Sequence, residues 1–569
     1  MKVTSLRSHF INLDARIQLM VMGVIVGLCS GLAAVGLNHG LQLFSGYLDQ
    51  FQSQWYLVFF PIAGLVLTVA IMTFLIRDVD AHGVPEVIYS ISVRGGALKF
   101  RSSFSKLVGS LITISSGGSA GPEAPVIISG AAIGSNIATY FKSNEMMRIA
   151  VTASGAAAAI ASIFNAPITG IIFTMEVILG EWSATMMFPV AIASVTGTIV
   201  SRLLSGNQIS FLHRTFDVSI FDLLASLGLA IAIALFTLLF IRLLKGISHM
   251  IDSRFRNILF KAVIGGLMVG IITVFFPQVR GEGYQVVRSL IGDRFSMDLL
   301  LVLGLILMKM VATSFTLGSG GAGGVFAPSL VIGSLGGWLY FQGLHSVFPQ
   351  LQFSGSSLFA LVGMAGMISG TMQAPLSGIF LIVEITGGYD AILPLLLVSF
   401  LTPMLVKLIE KHSIYHYELV KRGLLLRPRT DGRILAEIRP EELLEKKVIS
   451  VYPDMVLADL IPLIKKSSRN YFPVKDRESG HYLGMVFFND IKEFLFDPDL
   501  VNSIIIEEVM QTDLKIISLE DSVIDILHKF ETTGAWSLPV VEDRCFRGLI
   551  SKASLLDHYR KELKTQTEI

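Results

Sequence analysis

The sequence predicts an all-α polytopic membrane domain followed by a small soluble α/β module. Three observations carry this reading. Apolar segments of membrane-spanning length succeed one another up to about residue 405. Inside that region one Gly/Pro-rich pattern occurs twice without a gap, about 200 residues apart. From about residue 411 the chain turns charge-rich and repeats a second, strand-forming pattern.

The chain has 569 residues, 52% hydrophobic and only 16% charged, where a soluble globular chain has about 25% charged residues. The segments 17–44, 57–76, 221–243, 260–276 and 299–315 each reach or exceed the roughly 17 apolar residues that a spanning helix needs. The first is long enough to stay as a membrane helix and not be cleaved as a leader. Arg7 and Arg16 precede the first pair of spans, and Arg77, Arg94, Lys99 and Arg101 follow it. Cationic flanks mark the cytoplasmic side, so both ends of this excursion are expected there. Lys407, Lys411, Lys421 and Arg422 place the tail on the same side. The expected location is the cell membrane, multi-pass, with a cytoplasmic C-terminal module. A net charge of +1 offers no bulk attraction for nucleic acid. Cys29 and Cys545 are the only cysteines. One lies in an apolar span and one in the tail, so no disulfide framework is expected.

The membrane domain, 1–425, reads as two repeats of approximately 15–205 and 215–425. Residues 106–134 and 309–337 share K-x-V, then T-x-x-S-G-G-x-x-G-x-x-A-P-x-x-x-x-G-x-x-x-G. Farther on, Phe164-Asn165-Ala166-Pro167-Ile168-Thr169-Gly170-Ile171 recurs as Met372-Gln373-Ala374-Pro375-Leu376-Ser377-Gly378-Ile379. Glu176 and Glu384 follow at the same distance. Each half should hold about eight or nine helical pieces. Some, such as 127–140 and 330–341, are expected to be short and bounded by Gly and Pro. Short helices that end inside a bilayer are tolerated where they line a cavity or are buried in protein. Gly/Pro-interrupted helices at matching places in two halves are how solute pathways are built. In the tail, 448–474 and 514–540 repeat a strand, helix, strand, strand, helix pattern.

The first copy carries Gly121-Pro122-Glu123-Ala124-Pro125 and the second Gly324-Val325-Phe326-Ala327-Pro328. A carboxylate in an apolar membrane stretch is costly and marks a functional candidate. Glu123 follows a Pro suited to a helix start, where the helix dipole favours negative charge. A site that holds a carboxylate can hold a mobile anion instead, so Glu123 reads as a tethered competitor for a permeating anion. The alternative is a fixed helix cap. In the second copy the amides of Val325 and Phe326 face the pathway without a competing acid, or the break serves packing alone. A third helix start, Ala81-His82-Gly83-Val84-Pro85, offers His82 as an anion donor or an interfacial cap. Tyr415, at the end of the last apolar run, reads as an interfacial aromatic anchor. Glu176 and Glu384 read as structural. Gly117, Gly118, Gly320 and Gly321 serve packing and loop flexibility, since no phosphate-loop Lys-Ser/Thr follows.

Together these residues resemble the CLC family of chloride channels and transporters over about 15–425. Gly121-Pro122-Glu123-Ala124-Pro125 is similar to the family's G-[KR]-E-G-P motif, which implies Glu123 as the gating glutamate. Gly324-Val325-Phe326-Ala327-Pro328 is similar to G-x-F-x-P, which implies that the Val325 and Phe326 amides bind chloride. Tyr415 falls where the family's chloride-binding tyrosine is expected, and His82 where a coordinating serine stands. The resemblance implies an inverted-repeat pore domain, a homodimer with one pore per subunit, and voltage-gated or proton-coupled chloride transport. Family exchangers commonly carry an acid one residue after the position of Glu176. Val177 stands there, which tilts the expectation toward a gated chloride channel over a chloride/proton antiporter. The tail resembles a pair of CBS domains, at 445–497 and 506–565, for which an adenine nucleotide is the candidate ligand. Asp490 keeps the ribose-contacting acid in the first copy, and Ser551 keeps the hydroxyl in the second. No other cofactor and no metal is expected. A CBS-regulated divalent cation transporter would need clustered membrane carboxylates, and Glu123, Glu176 and Glu384 stand apart in sequence. No enzyme motif is present.

Overall fold

A computed structural model describes residues 14–49, 58–78, 83–206, 215–421, 435, 438–467 and 469–567. The chain divides into two compact units, 1–425 and 426–569. The first is all-helical. Among the described residues its first repeat contains α1 (Ala15–Asp49), α2 (Phe59–Ala70), α3 (Val84–Val93), α4 (Ser105–Ser115), α5 (Glu123–Tyr140), α6 (Glu145–Phe164), α7 (Pro167–Phe173) and α8 (Ala184–Ser205). The second contains α9 (Ile220–Arg254), α10 (Ile258–Phe275), α11 (Tyr284–Ile291), α12 (Leu299–Gly318), α13 (Phe326–Val347), α14 (Ser356–Met372), α15 (Pro375–Thr386) and α16 (Ile392–Lys407), with α17 (Ile414–Lys421) after it. Seven of the described helices are long and apolar enough to cross a membrane.

The two repeats hold each other through reciprocal contacts. Gly121 N–H donates to Gly324 O at 2.9 Å, and Gly324 N–H donates to Gly121 O at 2.7 Å. Ser119 N–H donates to Thr316 Oγ1 at 3.0 Å, and Ala322 N–H to Thr113 Oγ1 at 3.2 Å. Each bond in one direction has its counterpart in the other, so the halves are related by an approximate two-fold. The same repetition governs helix packing. A Cβ on Gly130 would collide with Gly155 O, and one on Gly333 with Gly363 O. Small residues let α5 cross α6, and α13 cross α14, at backbone distance.

The helices expected at 127–140 and 330–341 are longer than the sequence suggested. They begin at Glu123 and Phe326, and Pro125 and Pro328 lie in their first turns. Proline there removes no helical hydrogen bond, because the first amides have no intrahelical acceptor. Ala-Pro thus starts these helices and does not break them.

The second unit carries two strand pairs and their helices. After α18 (Leu457–Lys466), β1 (Tyr471–Lys475) and β2 (Tyr482–Phe487) pair antiparallel. After α19 (Val523–Thr533), β3 (Ser537–Glu542) and β4 (Cys545–Ser551) do the same, and α20 (Lys552–Thr567) follows. The leading strand expected in each copy is reduced to a single parallel bridge, Val451 to Val474 and Ile517 to Val540. Each copy has its own apolar core, around Phe472 and Val486 in one and Phe530 and Leu538 in the other.

Candidate anion pathway

Three helix starts and one tyrosine converge on a cavity of about 500 Å³. Gly83, Val84 and Pro85 open α3, Ala124 and Pro125 open α5, and Gly323, Gly324 and Val325 lead into α13. Tyr415, at the start of α17, lines the same space. Its hydroxyl is buried and has no hydrogen-bond partner among the described residues. Free backbone amides at helix N-termini, with their dipoles aligned, favour a negative ion between them. The lining also includes Lys106, Lys245 and Lys261, of which Lys245 pairs with Glu410 at 2.6 Å and Lys261 with Asp252 at 2.5 Å.

Glu123 is 1% exposed and stands at the inner limit of this cavity. Its neighbour Ala124 lines the space, but Glu123 does not. Tyr284 O–H donates to Glu123 Oε1 at 2.5 Å. The other carboxylate oxygen is buried without a hydrogen-bond partner among the described residues and packs against Gly121, where a Cβ would collide with it. That same Cβ would lie 3.0 Å from Ala327 N. The carboxylate therefore fills the narrow gap between the first turn of α5 and that of α13.

The other expected residues fall as follows. Val325 lines the cavity and is 5% exposed. Phe326 points its ring into the core, 5.1 Å from Phe164 and 6.2 Å from Phe173. Only its backbone is available to a pathway. Pro122, Gly121, Gly324 and Pro328 shape the two helix starts. His82 lies outside the described residues. Val177 is buried in the apolar core, in the widened turn after α7. Glu176 and Glu384 are reciprocal caps. Glu176 accepts from Leu376 N–H at 3.2 Å, Ser377 N–H at 2.8 Å and Ser377 Oγ at 2.7 Å. Glu384 accepts from Ile168 N–H at 2.9 Å, Thr169 N–H at 2.6 Å and Thr169 Oγ1 at 2.7 Å. Each repeat thus caps the broken helix of the other.

Sequence reasoning missed the partners of Glu123. Tyr284 opens α11, and Lys309 of α12 is fully buried. Lys309 Nζ donates to Val279 O at 2.9 Å and Gly281 O at 2.8 Å, fixing the loop that delivers Tyr284. Lys309 had been visible only as the first residue of a repeated motif. A lysine at the centre of an apolar span carries the same signal as Glu123.

In the second unit Asp490 Oδ2 accepts from Gln511 Nε2 at 2.7 Å. Ser551 Oγ donates to Glu445 Oε1 at 2.6 Å, and Glu445 also pairs with Arg469 at 2.8 Å.

With this geometry in place, the comparisons with known proteins decide the family. A model of the voltage-gated chloride channel family matches residues 66–407, and CBS-domain models match 441–497 and 506–561. The chain belongs to the CLC family. It is 32% identical over 350 residues to the putative chloride channel protein ClcB-like of Ralstonia nicotianae, covering 60% of this chain and 80% of that one. It is 27% identical over 420 residues to the H(+)/Cl(-) exchange transporter ClcA of Vibrio cholerae, covering 70% and 88%. Its fold is similar to the crystal structure of a slow cyanobacterial Cl⁻/H⁺ antiporter, with a TM-score of 0.66 at 23% identity, over 73% of this chain and 99% of that one. This CLC protein is a multi-span membrane protein of anion transport with a C-terminal CBS pair.

Proposed function

We propose that this CLC protein exchanges chloride for protons through a gate formed by Glu123. The observation that carries the reading is the position of its carboxylate, which plugs the gap between two helix starts at the end of the anion cavity. An anion passes only when the carboxylate leaves. Protonation removes the charge for which the helix dipoles compete, so proton binding and anion passage are linked at one group. His82, Tyr415 and the amides of Val325 and Phe326 are the anion contacts in this reading. The chain acts as a homodimer with its CBS pair on the cytoplasmic side. An adenine nucleotide is the proposed ligand of that pair. Its binding requires Asp490 and Ser551 to exchange Gln511 and Glu445 for ribose hydroxyls.

Val177 favours a second reading, a passive channel gated by Glu123. It leaves no acid at the position from which family exchangers take protons on the inner side. The Vibrio cholerae relative bears the name of an exchanger and the Ralstonia nicotianae relative that of a channel, so names support each reading.

The reversal potential of the protein in liposomes separates them. Under a chloride gradient with an added pH gradient, exchange moves the potential with pH at a fixed ratio. A passive channel leaves it at the chloride potential. Glu123→Gln tests the gate common to both: chloride efflux persists and loses its pH dependence. Efflux that keeps its full pH dependence in that variant removes Glu123 as the gate.

A further inference from the structure

The loop that leads into α11 carries an acid that neither the anion site nor the helix caps use. Glu282 lies two residues before Tyr284, whose hydroxyl is 2.5 Å from Glu123. Both neighbours of Glu282 meet the ammonium of Lys309. Gly281 O accepts from Lys309 Nζ at 2.8 Å, and a Cβ on Gly283 would lie 3.3 Å from the same nitrogen. Glu282 is half-buried, whereas Glu123 is sealed at 1% exposure. Its carboxylate makes no hydrogen bond and no ion pair among the described residues. The charged and titratable groups that act on it are Glu123, Lys309, Arg288 and Tyr284. None of Glu282, Tyr284 and Lys309 lines the anion cavity. The cluster therefore approaches Glu123 from a side that the anion cavity does not occupy.

We propose that Glu282 is the acid through which protons reach and leave the gate without passing through the anion cavity. In the inward step a proton from water binds the Glu282 carboxylate. It then moves to the Glu123 carboxylate, and Glu282 returns to its ionised form. Lys309 holds the loop throughout, through Val279 O and Gly281 O. Tyr284 keeps its hydroxyl proton and steadies Glu123 Oε1, leaving the other oxygen to receive the proton. The two carboxylates repel one another's charge, so a proton on one is favoured while the other stays ionised. The proposal rests on Glu123 as the gate, and holds for exchange and for a proton-gated channel alike.

The test is the pH profile of chloride efflux from liposomes, with proton uptake recorded alongside, for the native protein, Glu282→Gln, Glu282→Asp and Glu123→Gln. Removing the Glu282 charge removes a repulsion that favours a protonated neighbour. The half-activating pH of Glu282→Gln should therefore move about one unit toward acid. Where the native protein takes up protons, this variant should do so several-fold more slowly. Glu282→Asp should recover most of the native profile, which a merely structural role would not predict. A Glu282→Gln profile that overlays the native one overturns the proposal. So does an Asp variant as shifted as the Gln variant. If Glu123→Gln keeps its pH dependence, the reading of the gate fails instead, and the two failures are told apart. Should Glu282→Gln not fold, the Asp variant decides alone: a retained acid with native pH response supports the relay, and a lost response overturns it.

Discussion

At the residue scale, the proposed gate turns on the competition for one carboxylate. Tyr284 donates to Glu123 at 2.5 Å, and the helix starts of α5 and α13 attract the same charge. A hydrogen bond to a charged group contributes about 1.5–3 kcal/mol, and every 1.4 kcal/mol is about tenfold in a population. Tyr284→Phe keeps the ring and removes the bond. It should raise chloride efflux at neutral pH by at least about tenfold, because the carboxylate leaves the gap more readily. An unchanged efflux would reduce Tyr284 to packing. Glu123 itself was legible in the sequence, since an acid amid apolar residues next to a Pro-marked helix start stands out on chemistry alone. Tyr284 was not. Gly281-Glu282-Gly283-Tyr284 reads locally as an ordinary polar turn, and 161 residues separate Tyr284 from Glu123. Only the three-dimensional crossing of the repeats brings them together.

At the element scale, the broken helices are stable because each repeat closes the other's open ends. In hydrocarbon an unsatisfied amide has no water to turn to. The N-termini of α7 and α15 are both met by a carboxylate from the opposite half. Glu384→Ala removes three acceptor contacts, from Ile168 N–H, Thr169 N–H and Thr169 Oγ1. It should cost about 2–4 kcal/mol, more than an ordinary exposed cap. Glu176→Ala should cost a similar amount, because its three contacts are the counterparts of those. Thermal unfolding in detergent measures both. A large loss in one and none in the other would contradict the two-fold equivalence. The duplication of these carboxylates and their structural role could be read from the sequence. Their crossed partnership could not, because a motif repeated in order does not say which half it serves. Helix bounds were also misjudged where Ala-Pro looked like a break. Proline in a first turn is compatible with helix, and the local pattern cannot tell a start from a stop.

At the scale of the whole molecule, the division into a membrane unit and a tail was plain from composition, and CBS-like strand pairs from the repeat within the tail. The cores follow that division. One continuous apolar cluster runs through helices of both membrane repeats, from Val84 and Ile127 to Leu358 and Ile379. The tail has its own clusters around Phe472 and Phe530. The reciprocal bonds between Gly121 and Gly324, together with the crossed caps, tie the two membrane halves into a single cooperative unit. Neither half can release its partner without exposing amides in hydrocarbon, so no stable half-unfolded state is expected. The tail buries its apolar side chains independently and should melt on its own. Calorimetry of the full chain should therefore give one transition for the membrane unit and a separate one for the tail. Glu384→Ala should lower the first and leave the second in place. Division of the membrane transition into two steps would show that the repeats are separable modules. A shift of both transitions by this single substitution would show that the tail's stability depends on the membrane unit, which separate cores do not predict.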